Sequence, residues 1–308
     1  MKKKIQFLAV LAMGLSLSFL GCKKSNSSTD TSADLITHSD DQSSFSQNTD
    51  EVADDANKAI DNYNAFNGNG PSNIAGIPCN ATVVLDSANG IRTLTITYNG
   101  LNCYGNRTRT GVVVLSMPLA QHWRDAAAVL TITVQNLKIT RLVDNKSITI
   151  NGVTKVTNVS GGRLRDISSL GTIVHTITSA GMTVTFDNGS QRSWQVAKRR
   201  TFTYNNGIVI TTIGTHTDGS TTGISEWGTN RFGNAFVTSI TQPMVIREDC
   251  SFRLVSGQVT HSRLLATVVA SFGLDAQGNP VTCPAGTFYF KVVWTGANGV
   301  TRTYILPY

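Results

Sequence analysis

Covalent chemistry in this chain rests on five cysteines, and they are unevenly placed. Cys22 stands alone at the end of an apolar run. Cys79, Cys103, Cys250 and Cys283 make an even set, which suits disulfides in an oxidising compartment. The surroundings of these four repeat. Cys79 precedes a hairpin pattern that ends in Asn99-Gly100-Leu101, and Cys103 follows. Cys250 precedes one that ends in Phe272-Gly273-Leu274, and Cys283 follows after a longer loop. From cysteine to Gly-Leu is 21 residues in the first unit and 23 in the second. A repeated cysteine–hairpin–cysteine unit predicts the pairs 79–103 and 250–283. Zinc ligation is the competing chemistry, but no Cys-x-x-Cys pair or His cluster supports it.

Other reactive side chains are sparse. Glycoside hydrolysis needs two carboxylates flanking one bond, and from residue 75 onward the glutamates are Glu226 and Glu248. Asp86, Asp144, Asp187, Asp218 and Asp275 sit in turn contexts, where a short carboxylate bonds local backbone. Glu226-Trp227 has the form of an acid beside a sugar platform, but reads more simply as a strand-end pair. His38, His122, His175, His216 and His261 are scattered, without the spacing of a metal site or triad. No serine lies in a Gly-x-Ser-x-Gly elbow. The expectation is a protein without catalytic residues, cofactor or metal.

One stretch carries a candidate ligand site. In QRSWQVAKRRTFTY (191–204), Arg192, Trp194, Val196, Lys198, Arg200, Phe202 and Tyr204 share a face if the strand is unbroken. A buried unpaired Lys or Arg is very costly, so two arrangements are expected. In the first, a bulge near Ala197 turns Lys198 and Arg200 outward while the aromatics stay in the core. In the second, the strand leaves the core, and Lys198 and Arg200 lie between exposed Trp194 and Tyr204. That surface would suit an anionic polysaccharide, with rings on sugar faces and cations on acid groups.

These residues need elements to hold them. At the start, Lys2, Lys3 and Lys4 precede an uncharged run from Ile5 to Leu20, the layout of an export signal. The run is shorter than the ~20 residues of a spanning helix. Phe19-Leu20-Gly21-Cys22 resembles a bacterial lipobox, in which the cysteine thiol is acylated and becomes the new N-terminus. Residues 1–21 then read as signal peptide, and Cys22 as a lipid anchor to the outer membrane. Residues 22–74, rich in Ser, Thr, Asn and Asp, read as an acidic flexible tether. A short helix is an option there, since Val52, Ala56, Ala59, Ile60 and Tyr63 recur at helical spacing behind Thr49 as a cap. Residues 25–74 hold nine Asp+Glu and one Lys, whereas 75–308 hold twenty Lys+Arg and ten Asp+Glu. The basic body could attract anionic glycans, lipopolysaccharide headgroups or the chain's own acidic segment. Nucleic acid is not expected, because no nucleic-acid-binding motif is present.

From 75 to 308 the pattern is β throughout, with no convincing helix after residue 70. TLTITYNG and MTVTFDNG alternate apolar residues with threonine, and Asn-Gly or Asp-Gly pairs recur between such runs. The expected fold is an all-β, antiparallel, sandwich-like meander, as one domain or as two packed halves near 75–180 and 181–308. A membrane-spanning barrel is disfavoured, because many strands lack a continuous apolar stripe. In AVLTITVQNLKITRL the apolar parity switches after Val134, which predicts a β-bulge near Gln135-Asn136. In MTVTFDNGSQRSWQV, a three-residue loop 187–189 pairs Phe186 with Ser190 and Met182 with Trp194, keeping the apolar residues on one face.

The runs TYNGLNCYGNRTRTGVVVLSM, NLKITRLVDNKSITINGVTKVTN and CSFRLVSGQVT, with the later FGLD and Cys283, resemble a family of uncharacterised Bacteroidetes-type outer-membrane lipoproteins. The resemblance covers most of 79–308 and is most specific from Cys103 to Gly111. It implies lipid anchoring and an all-β fold with two cysteine pairs, and no reaction. The expected role is non-catalytic binding of an anionic glycan or envelope polymer at the membrane. The alternative is an accessory lipoprotein acting through protein contacts.

Overall fold

In the computed structural model, residues 32–63, 66, 78–179, 181–263, 266–283, 286–296 and 299–308 are described. The export signal and Cys22 lie outside them. The acidic segment is not a tether over its central part: Ser32–Asn62 is one helix, α1. The predicted spacing holds, for Val52, Ala56, Ala59, Ile60 and Tyr63 are all buried. The helix begins well before Thr49, however. Thr49 caps nothing; its hydroxyl bonds back to the carbonyls of Phe45 and Ser46.

The strands follow as β1 (Ala81–Ala88), β2 (Ile91–Leu101), β3 (Arg107–Pro118), β4 (Ala128–Arg141), β5 (Ser147–Asn158), β6 (Thr172–Ser179), β7 (Met182–Phe186) and β8 (Gln191–Tyr204). The second set is β9 (Ile208–Gly214), β10 (His216–Asp218), β11 (Thr221–Thr229), β12 (Ala235–Arg247), β13 (Arg253–Arg263), β14 (Ala266–Leu274), β15 (Tyr289–Thr295) and β16 (Thr301–Pro307). A one-turn helix, α2 (Ile167–Leu170), interrupts the series. All pairings are antiparallel, as the alternation predicted, and among the described residues the strands belong to one sheet. Along β2, Leu94, Ile96 and Tyr98 point to the core and threonines point away.

Between β5 and β8 the sheet is filled by two strands end to end. β6 pairs with 154–158 and 197–203, and β7 with 148–151 and 191–194. β9 and β11 divide the space between β8 and β12 in the same way. Strand β8 therefore borders both divisions. The core falls into two apolar clusters along one continuous sheet. The first includes Ile177, Trp194, Val196 and Phe236 and the second Ile173, Phe202 and Ile246, so the division crosses β6, β8 and β12 and falls at no single point of the chain.

Two local predictions are met. The β4–β5 ladder shifts between Val134 and Leu137, with Asn136 left-handed at φ 48°. Opposite this bulge Gly111 (φ +127°) leaves room that any side chain would lose to the Asn136 carbonyl. In the β7–β8 hairpin Met182 pairs with Trp194, the Phe186 amide bonds the Ser190 carbonyl, and Gly189 takes φ +77°. The Asn151-Gly152 pair is not a turn but lies inside β5, where Gly152 lets Met182 approach. At the far end Tyr308 is buried among Phe272, Phe288 and Phe290, its hydroxyl donating to the Leu254 carbonyl.

Candidate functional site

Helix α1 has polar residues on every side and is nevertheless buried on most of them. Asp50 and Asp54, and likewise Glu51 and Asp55, stand four apart. In an isolated helix such like-charged neighbours repel. Here the sheet supplies their counter-charges. Arg109 donates to Asp55 at 2.7 Å and lies 3.3 Å from Glu51, while the Tyr98 hydroxyl also donates to Asp55. Arg141 holds Asp40 through two bonds of 2.8 and 2.9 Å, and Lys146 adds a third. Arg231 holds Asp41 through two bonds of 2.6 Å. Of the three attractions available to the basic body, the chain's own acidic helix takes these cations.

Their environments differ. Burial raises Asp40, but the bonds from Arg141 and Lys146 outweigh it and leave the carboxyl below its usual value. For Asp41 burial wins over Arg231, and the carboxyl is pushed up to about 6. Asp54 is pushed up to about 7 by burial, because its partner Arg200 lies 3.5 Å away and also serves Asp50.

The structure corrects both arrangements expected for 191–204. β8 has no break in parity, so Trp194, Lys198, Arg200 and Phe202 all face inward, and Trp194 is fully buried. Tyr204 is 52% exposed at the strand end, apart from the others. Lys198 and Arg200 are buried because they are paired, an option the cost of an unpaired charge had hidden. Lys198 lies 2.7 Å from Glu226 and donates to Ser46 at 2.8 Å, while Arg200 pairs with Asp50 and Asp54. The exposed cation-and-ring surface for an anionic polysaccharide is therefore not formed. Trp194 instead packs edge-on to Phe45 and donates its indole N–H to the Thr229 carbonyl. Glu226 is fully buried and also accepts from Gln42; it is no solvent-facing acid beside a sugar, and Trp227 stacks on His216.

A cavity of about 130 Å³ lies between α1 and the later strands. Asp50, Glu51, Asp54 and Asp55 form one wall; Ile240, Met244, Ile246, Leu254, Val259 and Phe272 form the other. Lys58, Arg107, Lys198 and Arg253 also line it, so the charged groups on the helix side are of both signs. Its exposed lining residues, Lys58, Cys103 and Tyr104, mark the opening. Burial and the nearby carboxylates push the Tyr104 hydroxyl up to about 12. Cys103, of the first cysteine pair, stands at this opening. Cys79 and Cys103 are within disulfide distance, with Cα atoms 5.0 Å apart, and Cys250 and Cys283 likewise, at 5.1 Å. The pairing is the one the repeat predicted. Ser251 and Phe252, next to Cys250, are both left-handed, at φ 58° and 52°. A bulky residue there is strained, and Phe252 lines the cavity.

Comparison of this chain with family models, with curated proteins and with solved structures finds no match. Reading the sequence missed the cavity and the helix wall. The available signal was the run DEVADD, whose carboxylates fall in two four-residue steps and match the inward cations of RTR (107–109) and KRR (198–200).

Proposed function

We propose that this chain is an exported lipoprotein, acylated at Cys22 and held on the outer membrane, whose body is a non-catalytic binding module. Its ligand occupies the cavity between α1 and the later strands. The cavity is the observation that carries this reading, since charged residues of α1 line it on one side and apolar strand residues on another, and it opens beside Cys103 and Tyr104. The anchor rests on the basic start, the short apolar run and Cys22, together with the resemblance to Bacteroidetes-type lipoproteins. Several acyl chains hold a folded body on a bilayer without a spanning helix, each buried methylene contributing ~0.8 kcal/mol. Among the described residues no helix is long and apolar enough to cross a membrane.

Two measurements test the two parts. Cys22→Ala should abolish fatty-acid labelling and release the protein from the membrane fraction; unchanged labelling and fractionation would remove the anchor. Wild-type protein from its own membranes should carry a small-molecule mass in native mass spectrometry that Met244→Trp lacks. Identical masses would remove the binding reading. A second reading, an accessory role through protein contacts, has one observation in its favour. Among the described residues edge strand β1 pairs on one side only and exposes Val84, with Ile91 and Leu119 exposed beside its hairpin turn.

A further inference from the structure

Resting on the reading that Cys22 is acylated, we propose which face of the body meets the bilayer. It is the end of the sheet that carries the β4–β5, β11–β12 and β15–β16 turns. Leu142, Val143, Phe232 and Val300 on those turns enter the headgroup region, so the partner of this surface is lipid. Three observations carry this.

The first is topology. Every pairing is antiparallel, so the connections alternate between two ends of the sheet. The β4–β5, β7–β8, β11–β12 and β15–β16 turns fall at one end, and the β1–β2, β3–β4, β5–β6 and β8–β9 connections at the other. The second is the course of α1. Asp40 is held by Arg141 and Lys146 beside the β4–β5 turn, and Asp41 by Arg231 of the β11–β12 turn. Arg231 also bonds Asp187 of the β7–β8 turn, so three turns of the first end converge on the early part of the helix. At the opposite end, Asp61 accepts from the Arg165 amide and the Phe66 carbonyl from the Trp123 amide. The chain therefore enters α1 from the first end. Cys22 is ten residues before Ser32, so by any path it stays within roughly 36 Å of the helix start. From Ser32 to Asp61 the helix rises about 44 Å, which puts the opposite end beyond the anchor's reach. The third is exposure. Val143 is 73% exposed and Val300 56%, and Leu142 and Phe232 are exposed as well. Apolar turn residues gain nothing in water but are stabilised in a bilayer interface. Ile91, Leu119, Val159 and Leu170 are exposed at the opposite end too, so the reach of the anchor, not exposure alone, chooses between the ends. Charge is not the carrier, because Arg141, Lys146 and Arg231 beside these turns are each held by carboxylates.

The test reconstitutes the acylated full chain in vesicles of phosphatidylcholine brominated along its acyl chains, a lipid with no net charge to attract Lys23 and Lys24. Flotation checks the anchor, and tryptophan quenching by the brominated chains checks the contact. Val143→Trp and Val300→Trp each add a fluorophore at the proposed face, and Leu170→Trp adds one at the opposite end. Measured above wild type, the first two should gain at least about twofold more quenching than Leu170→Trp, as suits turns lying about 5–10 Å into the interface. Adding Leu142→Asp and Phe232→Asp to Val143→Trp should lower that gain without changing the melting temperature. Protein that floats but is quenched equally at both ends, at neither, or more at residue 170 would overturn this inference and leave the anchor. A gain indifferent to the two aspartates would overturn the apolar contact in the same way. Protein that does not float would overturn the anchor and this inference with it.

Discussion

Strands β3, β4 and β8 meet α1 with guanidinium and ammonium groups, whereas β12 to β14 meet it with Ile240, Met244, Leu254, Val259 and Phe272. On the first side each helix carboxylate described above has a cation within hydrogen-bond or ion-pair reach, and a cavity of only about 40 Å³ remains beside β4 to β8. On the second side an apolar wall lies across a cavity of about 130 Å³, whose lining also holds Lys58, Arg107, Lys198 and Arg253. The same helix is thus fixed by charge on one side and kept at a distance on the other. Buried ion pairs roughly break even against apolar packing but punish the loss of one partner. They therefore specify where the helix sits more than they add to stability.

The comparison breaks most visibly at Lys198. Lys198→Met leaves Glu226 fully buried without its cation, and should cost about 3–5 kcal/mol in urea unfolding. Adding Glu226→Leu should recover most of that loss, because the pair is removed whole. A double variant as unstable as the single one would mean that the pair itself stabilises the fold.

The cysteine pairs sharpen the comparison, one belonging to each side. Cys79 and Cys103 are 24 residues apart and Cys250 and Cys283 are 33 apart. Loss of either link by Cys→Ser should cost roughly 3 kcal/mol by chain entropy. Non-reducing peptide mapping should return only these two links, and a link between an early and a late cysteine would end the repeat. A smaller effect is expected at the apolar wall. Met244→Ala borders space that is already empty, so it should fall near the low end of methionine truncations, about 2 kcal/mol.

The smallest effect is a pH dependence. The folded state holds the Asp54 proton up to about pH 7, against 3.8 for a free carboxyl. Its contribution to stability is fully present below the unfolded value and is lost as pH rises through about 7. Wild type should therefore gain stability relative to Asp54→Asn as pH falls from neutral toward the ordinary carboxylate range. A constant difference between the two proteins would show that Asp54 is ordinarily solvated. Buried His261, pushed down to about 4, acts oppositely, losing stability as pH falls below 6.5, and is common to both proteins.

Much of this architecture was legible in single segments. Strand alternation, the bulge at Gln135-Asn136, the 187–189 loop and the cysteine pairs depend on neighbours in the chain or on a local repeat. Turn geometry and side-chain parity act over a few residues, so they can be read there. The helix and the fate of β8 could not be read that way. Whether 32–62 orders depends on cations that lie on β3, β4 and β8 and beyond, up to 190 residues away for Asp41 and Arg231. Whether Lys198 and Arg200 turn outward depends on whether a carboxylate waits inside. The cysteines, the parity of each strand and the split between an acidic segment and a basic body are set residue by residue along the chain. That the two halves of that split neutralise each other against the sheet emerges only on folding, because the energy of a buried charge is set by its partner across space.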